Sequence, residues 1–265
     1  MDGSRLLDES LHQFIAIWKL IGRPFPNVDQ VDNPGLAISW PDTQFPFYNA
    51  LFLNEQVTDD QVLQDRVRQA AVYMRARRHP GLFIVCLDIL NGSAKENLPT
   101  ILAESNFVQA FPMTGMAGDI LPMDAPGHQA LRFVRVSDDP TIQTFAELNC
   151  AAYSLPRETS MSLLREHMLW HKHAYGFIAY ENDEPVSTAT AIINEGCVFL
   201  FLVATAPDAQ RKGYGEAVVR HALQTAYQAT GIRRTVLHAT EDGYPLYLRL
   251  GYRPTGKFIG CTLAS

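Results

Sequence analysis

Residues 198–215, Val-Phe-Leu-Phe-Leu-Val-Ala-Thr-Ala-Pro-Asp-Ala-Gln-Arg-Lys-Gly-Tyr-Gly, constrain the fold more than any other stretch of the chain. The first seven are continuously apolar, β-branched or aromatic, too few for a lone helix, and they predict a strand buried on both faces. Pro207 ends it. Beyond it the period changes, because Val218, Ala222 and Ala226 recur at helical spacing with Val219, Leu223 and Tyr227 beside them. The helix therefore starts at Gln-Arg-Lys-Gly-Tyr-Gly. A helix start leaves four N–H groups without partners and carries partial positive charge, so it attracts anions. Gly213 and Gly215 clear side chains from it, while Arg211 and Lys212 add cationic donors. The ligand this predicts is a phosphate or pyrophosphate.

Spacing separates the phosphate motifs. Walker A, Gly-x-x-x-x-Gly-Lys-Ser/Thr, is absent, and Val218 breaks the dinucleotide fingerprint Gly-x-Gly-x-x-Gly begun by Gly213 and Gly215. What stands is Gln-x-x-Gly-x-Gly after a strand and a proline. This resembles the acetyl-CoA loop of the GCN5-related N-acetyltransferase (GNAT) family, and the resemblance extends over about residues 130–263 with a second anchor at Leu246-Tyr247-x-x-x-Gly251-Tyr252.

Composition excludes several other classes. A formal charge of -6 and an isoelectric point near 5.7 argue against a nucleic-acid surface. No apolar run reaches the roughly 18 residues of a membrane helix, and an N-terminal segment carrying Asp8, Glu9, His12 and Lys19 is no signal peptide, so a cytoplasmic protein without membrane contact is expected. Cys86, Cys150, Cys197 and Cys261 lack Cys-x-x-Cys pairing and read as buried thiols. His167 and His171 are one turn apart but lack a His-Glu-x-x-His pattern, and a solvated helix end explains them, so no metal is expected. Gly-x-Ser-x-Gly is missing as well.

Along the chain, Leu7, Leu11, Phe14, Ile15, Trp18 and Ile21 predict an opening helix, stopped by Gly22 and Pro24. A Pro- and Asn-rich loop leads to strands at 35–40 and 47–53, and Thr58 with Gln61 reads as a capping box for a helix bearing Leu63, Val67, Ala70 and Met74. A strand at 82–87, a helix at 96–105 and an extended segment at 107–116 follow. Residues 117–129, with Pro122, Pro126, Gly118 and Gly127, lack periodicity and predict a linker. A second unit has a similar order: strand 131–136, a helix from Asp138, a second helix reaching about Lys172, strands at 175–181, 185–193 and 198–204, the phosphate helix, strand 234–239, a short helix at 244–250 and a final extended stretch.

The two halves align at one corner. Residues 246–252 match residues 101–107, each a helix closing on Gly251 or Asn106, which tolerate the left-handed conformation, and each followed by an aromatic. The first half has Thr58-Asp59-Asp60 where the second has the phosphate loop, and Leu102 in place of Tyr247. The expectation is an α+β protein of two tandem GNAT-like lobes, each a mixed, mostly antiparallel sheet flanked by helices. The boundaries expected are 1–120 for a degenerate lobe without a cofactor site, 121–129 for the linker and 130–265 for a catalytic lobe.

The resemblance implies further roles. Backbone groups of Leu202, Val203 and Ala204 would bond pantetheine like a neighbouring strand, and the N–H groups of Gln210, Arg211, Lys212, Gly213, Tyr214 and Gly215 would hold the pyrophosphate of acetyl-CoA or another acyl-CoA. Tyr247 matches the general acid that protonates the departing thiolate, and a strand N–H at Val203 would serve the oxyanion. The general base stays open among Glu241, His238, Glu147 and water, and Glu147 and Tyr153 are expected on the acceptor side. The implied activity is acyl transfer to a primary amine of a small molecule or peptide, in a monomer or homodimer. A non-catalytic acyl-CoA-binding or partner-recruiting module and a generic nucleotide-binding protein are the alternatives.

Overall fold

The computed structural model describes residues 3–121, 131–155 and 169–264, with backbone only at Leu169 and His171. Its contacts divide the chain into two compact units. The first comprises Met1–Met116, His238–Pro245 and Pro254–Ser265; the second comprises Ala117–Leu237 and Leu246–Arg253. Among the described residues no helix is long and apolar enough to cross a membrane.

In the first unit, α1 (Gly3–Gly22) buries Phe14, Ile17 and Ile21 from its apolar stripe. The sheet follows in the order β1 (Asp29–Asn33), β2 (Leu36–Trp40), β3 (Ala50–Leu53), β4 (Leu82–Cys86), β11 (Arg253–Leu263) and β5 (Phe107–Asp119). The pairs β1–β2, β2–β3 and β4–β11 are antiparallel, and β3–β4 is parallel. The parallel pair needs a crossover, which α2 (Asp60–Arg75) supplies with Leu63, Val67, Ala70 and Met74 inward. Helix α3 (Gly92–Glu104) precedes β5 and turns on Asn106, whose φ of 62° confirms the left-handed corner expected there.

Several expectations change here. Residues 29–33 are a strand where a loop was expected, because an edge strand with Val31 as its one apolar residue carries no hydrophobic alternation. Residues 46–48 form a 3-10 turn, so β3 begins only at Ala50. Helix α2 is capped by Asp59, whose carboxylate accepts from Val62 N, and Thr58 stands outside it. Helix α3 starts at Gly92, four residues before the expected Glu96, with Pro99 inside. Residues 117–119 of the expected linker continue β5, and residues 122–130 lie outside the described set. The last strand, expected in the second lobe, is grouped with the first. Phe258 to Cys261 pair with Cys86 to Phe83, and Gly260 accommodates the Phe111 ring, which an added Cβ would meet at 2.6 Å.

In the second unit the strands run β10 (Arg234–Ala239), β9 (Cys197–Thr205), β8 (Glu184–Asn194), β7 (Ala174–Glu181) and β6 (Leu131–Arg135), antiparallel except for β9–β10. Helix α4 (Asp139–Tyr153) begins in a capping box made by Asp138 and Thr141 and buries Ile142, Phe145, Ala146 and Asn149. The second helix expected in this lobe falls largely on residues outside the described set, and its visible end is α5 (Leu169–Lys172). Helix α6 (Tyr214–Thr230) buries Val218, Val219, Ala222 and Ala226 and ends on Gly231 at φ 72°.

Candidate active site

The site is built where β9 departs from regular pairing. Thr188 pairs with Ala204 and Thr190 with Phe201, so Leu202 and Val203 together face Ala189 in a β-bulge. Leu202 holds φ at 51°, which costs a residue with a side chain about 1–2 kcal/mol. Across the other edge, β10 pairs with β9 at Thr235–Val198 and Val236–Phe199. Among the described residues the pairing of β9 with β10 does not run beyond Phe199. Ala206 N donates to Val186 O at 2.9 Å, so the antiparallel alternation turns Ala204 toward β8 and Val203 toward the β10 side. The Val203 carbonyl accepts a short hydrogen bond from the Tyr153 phenol.

The first unit treats the same place differently. Its parallel pair β3–β4 is followed by a further bridge between Val57 and Leu90, in which Val57 N donates to Ile89 O (3.1 Å) and Asn91 N to Val57 O (2.9 Å). Those groups are satisfied within the backbone, and the Asp59 carboxylate fills the start of α2.

After β9, a 3-10 turn at Pro207–Ala209 delivers the chain to α6. Gly213 is its N-cap at φ 84° and makes no side-chain capping bond, so the first-turn N–H groups point outward without a covering side chain. Gly215 is needed for close approach, since a Cβ there would lie 3.1 Å from Thr205 Oγ1. Gln210, Arg211 and Lys212 are exposed, and Arg211 takes φ 63°. The one acid of the first turn, Glu216, is occupied by Arg220 at 2.9 Å, with Arg249 3.9 Å away. An anion at this helix start therefore meets donors and a neutralised carboxylate. Tyr214 is buried and donates a short bond to Glu181, anchoring the loop to β7. Gly213→Ala is expected to cost about 1–2 kcal/mol through the left-handed conformation, read by denaturant unfolding.

Tyr247 is buried at the second anchor. Tyr252 N donates to Tyr247 O at 3.0 Å, Gly251 closes the corner at φ 85°, and the Tyr252 hydroxyl lies 3.0 Å from buried Thr235 Oγ1. Burial raises the Tyr247 phenol well above its usual range, reinforced by the neighbouring Tyr153 and Tyr252 phenols. Tyr153 keeps 45% exposure as a residue, but desolvation of its hydroxyl pushes that pKa up to about 12.

Leu202, Val203, Ala204, the 210–215 loop, Tyr153 and Tyr247 thus all belong to the second unit. Three expected residues, Glu147, Glu241 and His238, take other positions. Glu147 and Tyr153 are six positions apart on α4, about 120° around the helix, so they do not share a face, and Glu147 accepts from Gln143 Nε2 at 3.1 Å. Glu241 is exposed on a turn grouped with the first unit. His238 belongs there also, with its ring stacked on Phe14. His167 and the His171 side chain lie outside the described set, and among the described residues no group of three or more His, Cys, Asp or Glu could hold a metal. Residues that sequence reasoning missed are Asn149, Ser187 and Thr188, buried polar groups behind the bulge that carry no motif.

Residues 142–252 match the model of the acetyltransferase (GNAT) family. Over nearly the whole chain the fold is similar to a GCN5-related N-acetyltransferase from Kribbella flavida (18% identity, TM-score 0.69, 95% of each chain covered). It is also similar to a functionally unknown protein from Staphylococcus epidermidis ATCC 12228 (15%, 0.65, 90% of this chain and 95% of that one). A third likeness is to a tandem GNAT protein from the clavulanic acid biosynthesis pathway (13%, 0.58, 96% and 94%). No curated protein matches the sequence. Residues 142–252 thus resemble the GNAT family in sequence, and the fold of nearly the whole chain is that of GNAT proteins, a tandem one among them.

Proposed function

We propose that the chain is an acyl-CoA-dependent N-acyltransferase, taking acetyl groups to a primary amine of a small molecule or peptide by direct attack in a ternary complex. The observation that carries the reading is the edge of β9 beyond Phe199, where its pairing with β10 stops, set in one unit with an uncapped, glycine-lined helix start and a buried Tyr247. The edge supplies backbone groups for pantetheine, and the helix start supplies N–H donors for pyrophosphate.

In the reaction the amine nitrogen forms a bond to the thioester carbonyl carbon, and charge develops on the carbonyl oxygen, where the Val203 N–H is the proposed donor. Collapse breaks the carbon–sulfur bond. Tyr247 gives its proton to the sulfur, and the proton lost from the amine restores the balance. Glu147 or water takes that proton.

Saturable binding of acetyl-CoA by calorimetry, with release of free thiol across a panel of amines, is the test. Absence of binding at micromolar concentration overturns the proposal, tight binding without turnover on any amine supports a non-catalytic module, and equal competition by ATP supports a generic nucleotide site. One acyl-CoA per chain is expected, because the first unit closes its corresponding edge with the Val57–Leu90 bridge and fills its helix start with Asp59.

Tyr153 holds the Val203 carbonyl that pantetheine would use. Tyr153→Phe frees it, and since a net hydrogen bond is worth about 0.5–1.5 kcal/mol, acetyl-CoA should bind about two- to tenfold more tightly in calorimetric titration.

A further inference from the structure

The bulge at Leu202 carries strain that has to be held, and the side chains behind it form a directed chain of hydrogen bonds. Asn149 on α4 and Thr188 on β8 are 2% and 0% exposed. Asn149 Nδ2 donates to Phe145 O at 2.9 Å and to Thr188 Oγ1 at 3.0 Å. Thr188 Oγ1 in turn donates to Leu202 O at 3.2 Å. An amide nitrogen can only donate, so it leaves the single hydroxyl proton of Thr188 for the Leu202 carbonyl. One position earlier on β8, Ser187 Oγ donates to Ala204 O at 2.8 Å. The carbonyls of Leu202, Val203 and Ala204 therefore each accept a side-chain hydroxyl, from Thr188, Tyr153 and Ser187.

We propose that Thr188, oriented by Asn149, is a positioning residue for acyl transfer: its hydroxyl fixes the left-handed Leu202 peptide and so aims the Val203 N–H at the reacting carbonyl. This rests on the proposed acyltransferase reading. Both residues are buried behind the bulge. The bulge sets two residues of β9 against one of β8, and releasing the Leu202 carbonyl lets the peptide rotate toward regular pairing, which turns the Val203 groups out of register with the β10-facing edge. Burial makes the relay effective, since a hydroxyl in a water-free position has no competing partner.

The experiment compares wild type, Thr188→Val, which keeps the shape and removes the hydroxyl, and Thr188→Ser, which keeps the hydroxyl. In the ligand-free protein, amide hydrogen exchange of residues 201–205 should be at least tenfold faster in Thr188→Val than in wild type, with other β8–β9 amides unchanged. With acetyl-CoA and an accepted amine, kcat should fall at least tenfold while the KM for acetyl-CoA stays within twofold, and Thr188→Ser should restore both readouts. Unchanged local exchange in Thr188→Val overturns the inference, as does faster exchange with full kcat or a uniform rise in exchange across the unit. A wild type that transfers no acyl group overturns the catalytic role together with the proposed function, and the exchange contrast, read without ligand, tells that failure apart from failure of the bulge clasp.

Discussion

Tyr247→Phe is expected to lower turnover by about 10²–10⁴-fold, the range for loss of a positioned general acid, while changing acetyl-CoA affinity only a few-fold. Tyr247 is buried in the second unit against Tyr252, with ring centroids 5.8 Å apart, so phenylalanine keeps the packing and removes only the hydroxyl. Burial raises its pKa, which keeps the phenol protonated throughout the neutral range. The phenol therefore carries its proton at any working pH, and no loss of rate from Tyr247 ionisation should appear below pH 10. Stopped-flow thiol detection under saturating substrates separates the two effects. Wild-type turnover in Tyr247→Phe would remove the tyrosine from the chemistry and leave it as packing.

Acidification should destabilise the first unit through His238. Its ring lies 3.7 Å from Phe14, centroid to centroid and nearly parallel, meets Phe258 edge-on at 4.6 Å and has Nε2 3.4 Å from buried Ser10 Oγ. The residue keeps partial exposure, but Nδ1 is excluded from solvent, and desolvation lowers its pKa from 6.5 to about 3. The native state thus binds fewer protons than the unfolded state between those values, so stability rises with pH across that window and is level above about 6.5. Going from pH 7 to pH 4 should remove about 3 kcal/mol by this route. Urea unfolding at the two pH values measures it, with His238→Phe as the comparison. If His238→Phe loses as much stability in acid as the wild type, the histidine is not the cause.

What the sequence made legible was local. The strand ending at Pro207, the glycines of the phosphate loop and the corner at Gly251 are each written within a dozen residues, because φ restriction and period change act over that range. The bulge was not. A continuous run of apolar residues from Val198 to Ala204 contains no mark of the register break at Leu202, which depends on Thr188, fourteen positions earlier, and on Asn149 beyond it. Polarity on β8 hid the same feature, since no motif marks Ser187, Thr188 and Thr190, which are all fully buried. The separation of Glu147 from Tyr153 also required the helix to be seen, because only its turn shows which side chains share a face.

The most distant pairing concerns the end of the chain. Strand β11 fills the place between β4 and β5, and its residue Phe258 pairs with Cys86, about 170 positions earlier. During synthesis, β4 and β5 emerge long before the strand that lies between them, and each waits with an unsatisfied edge until residues 253–263 have been made. Such edges template association with other chains, and the loop to be closed is among the longest this protein contains. The first unit to be translated is thus the one that finishes folding only after the second has been made, a timing set by topology alone.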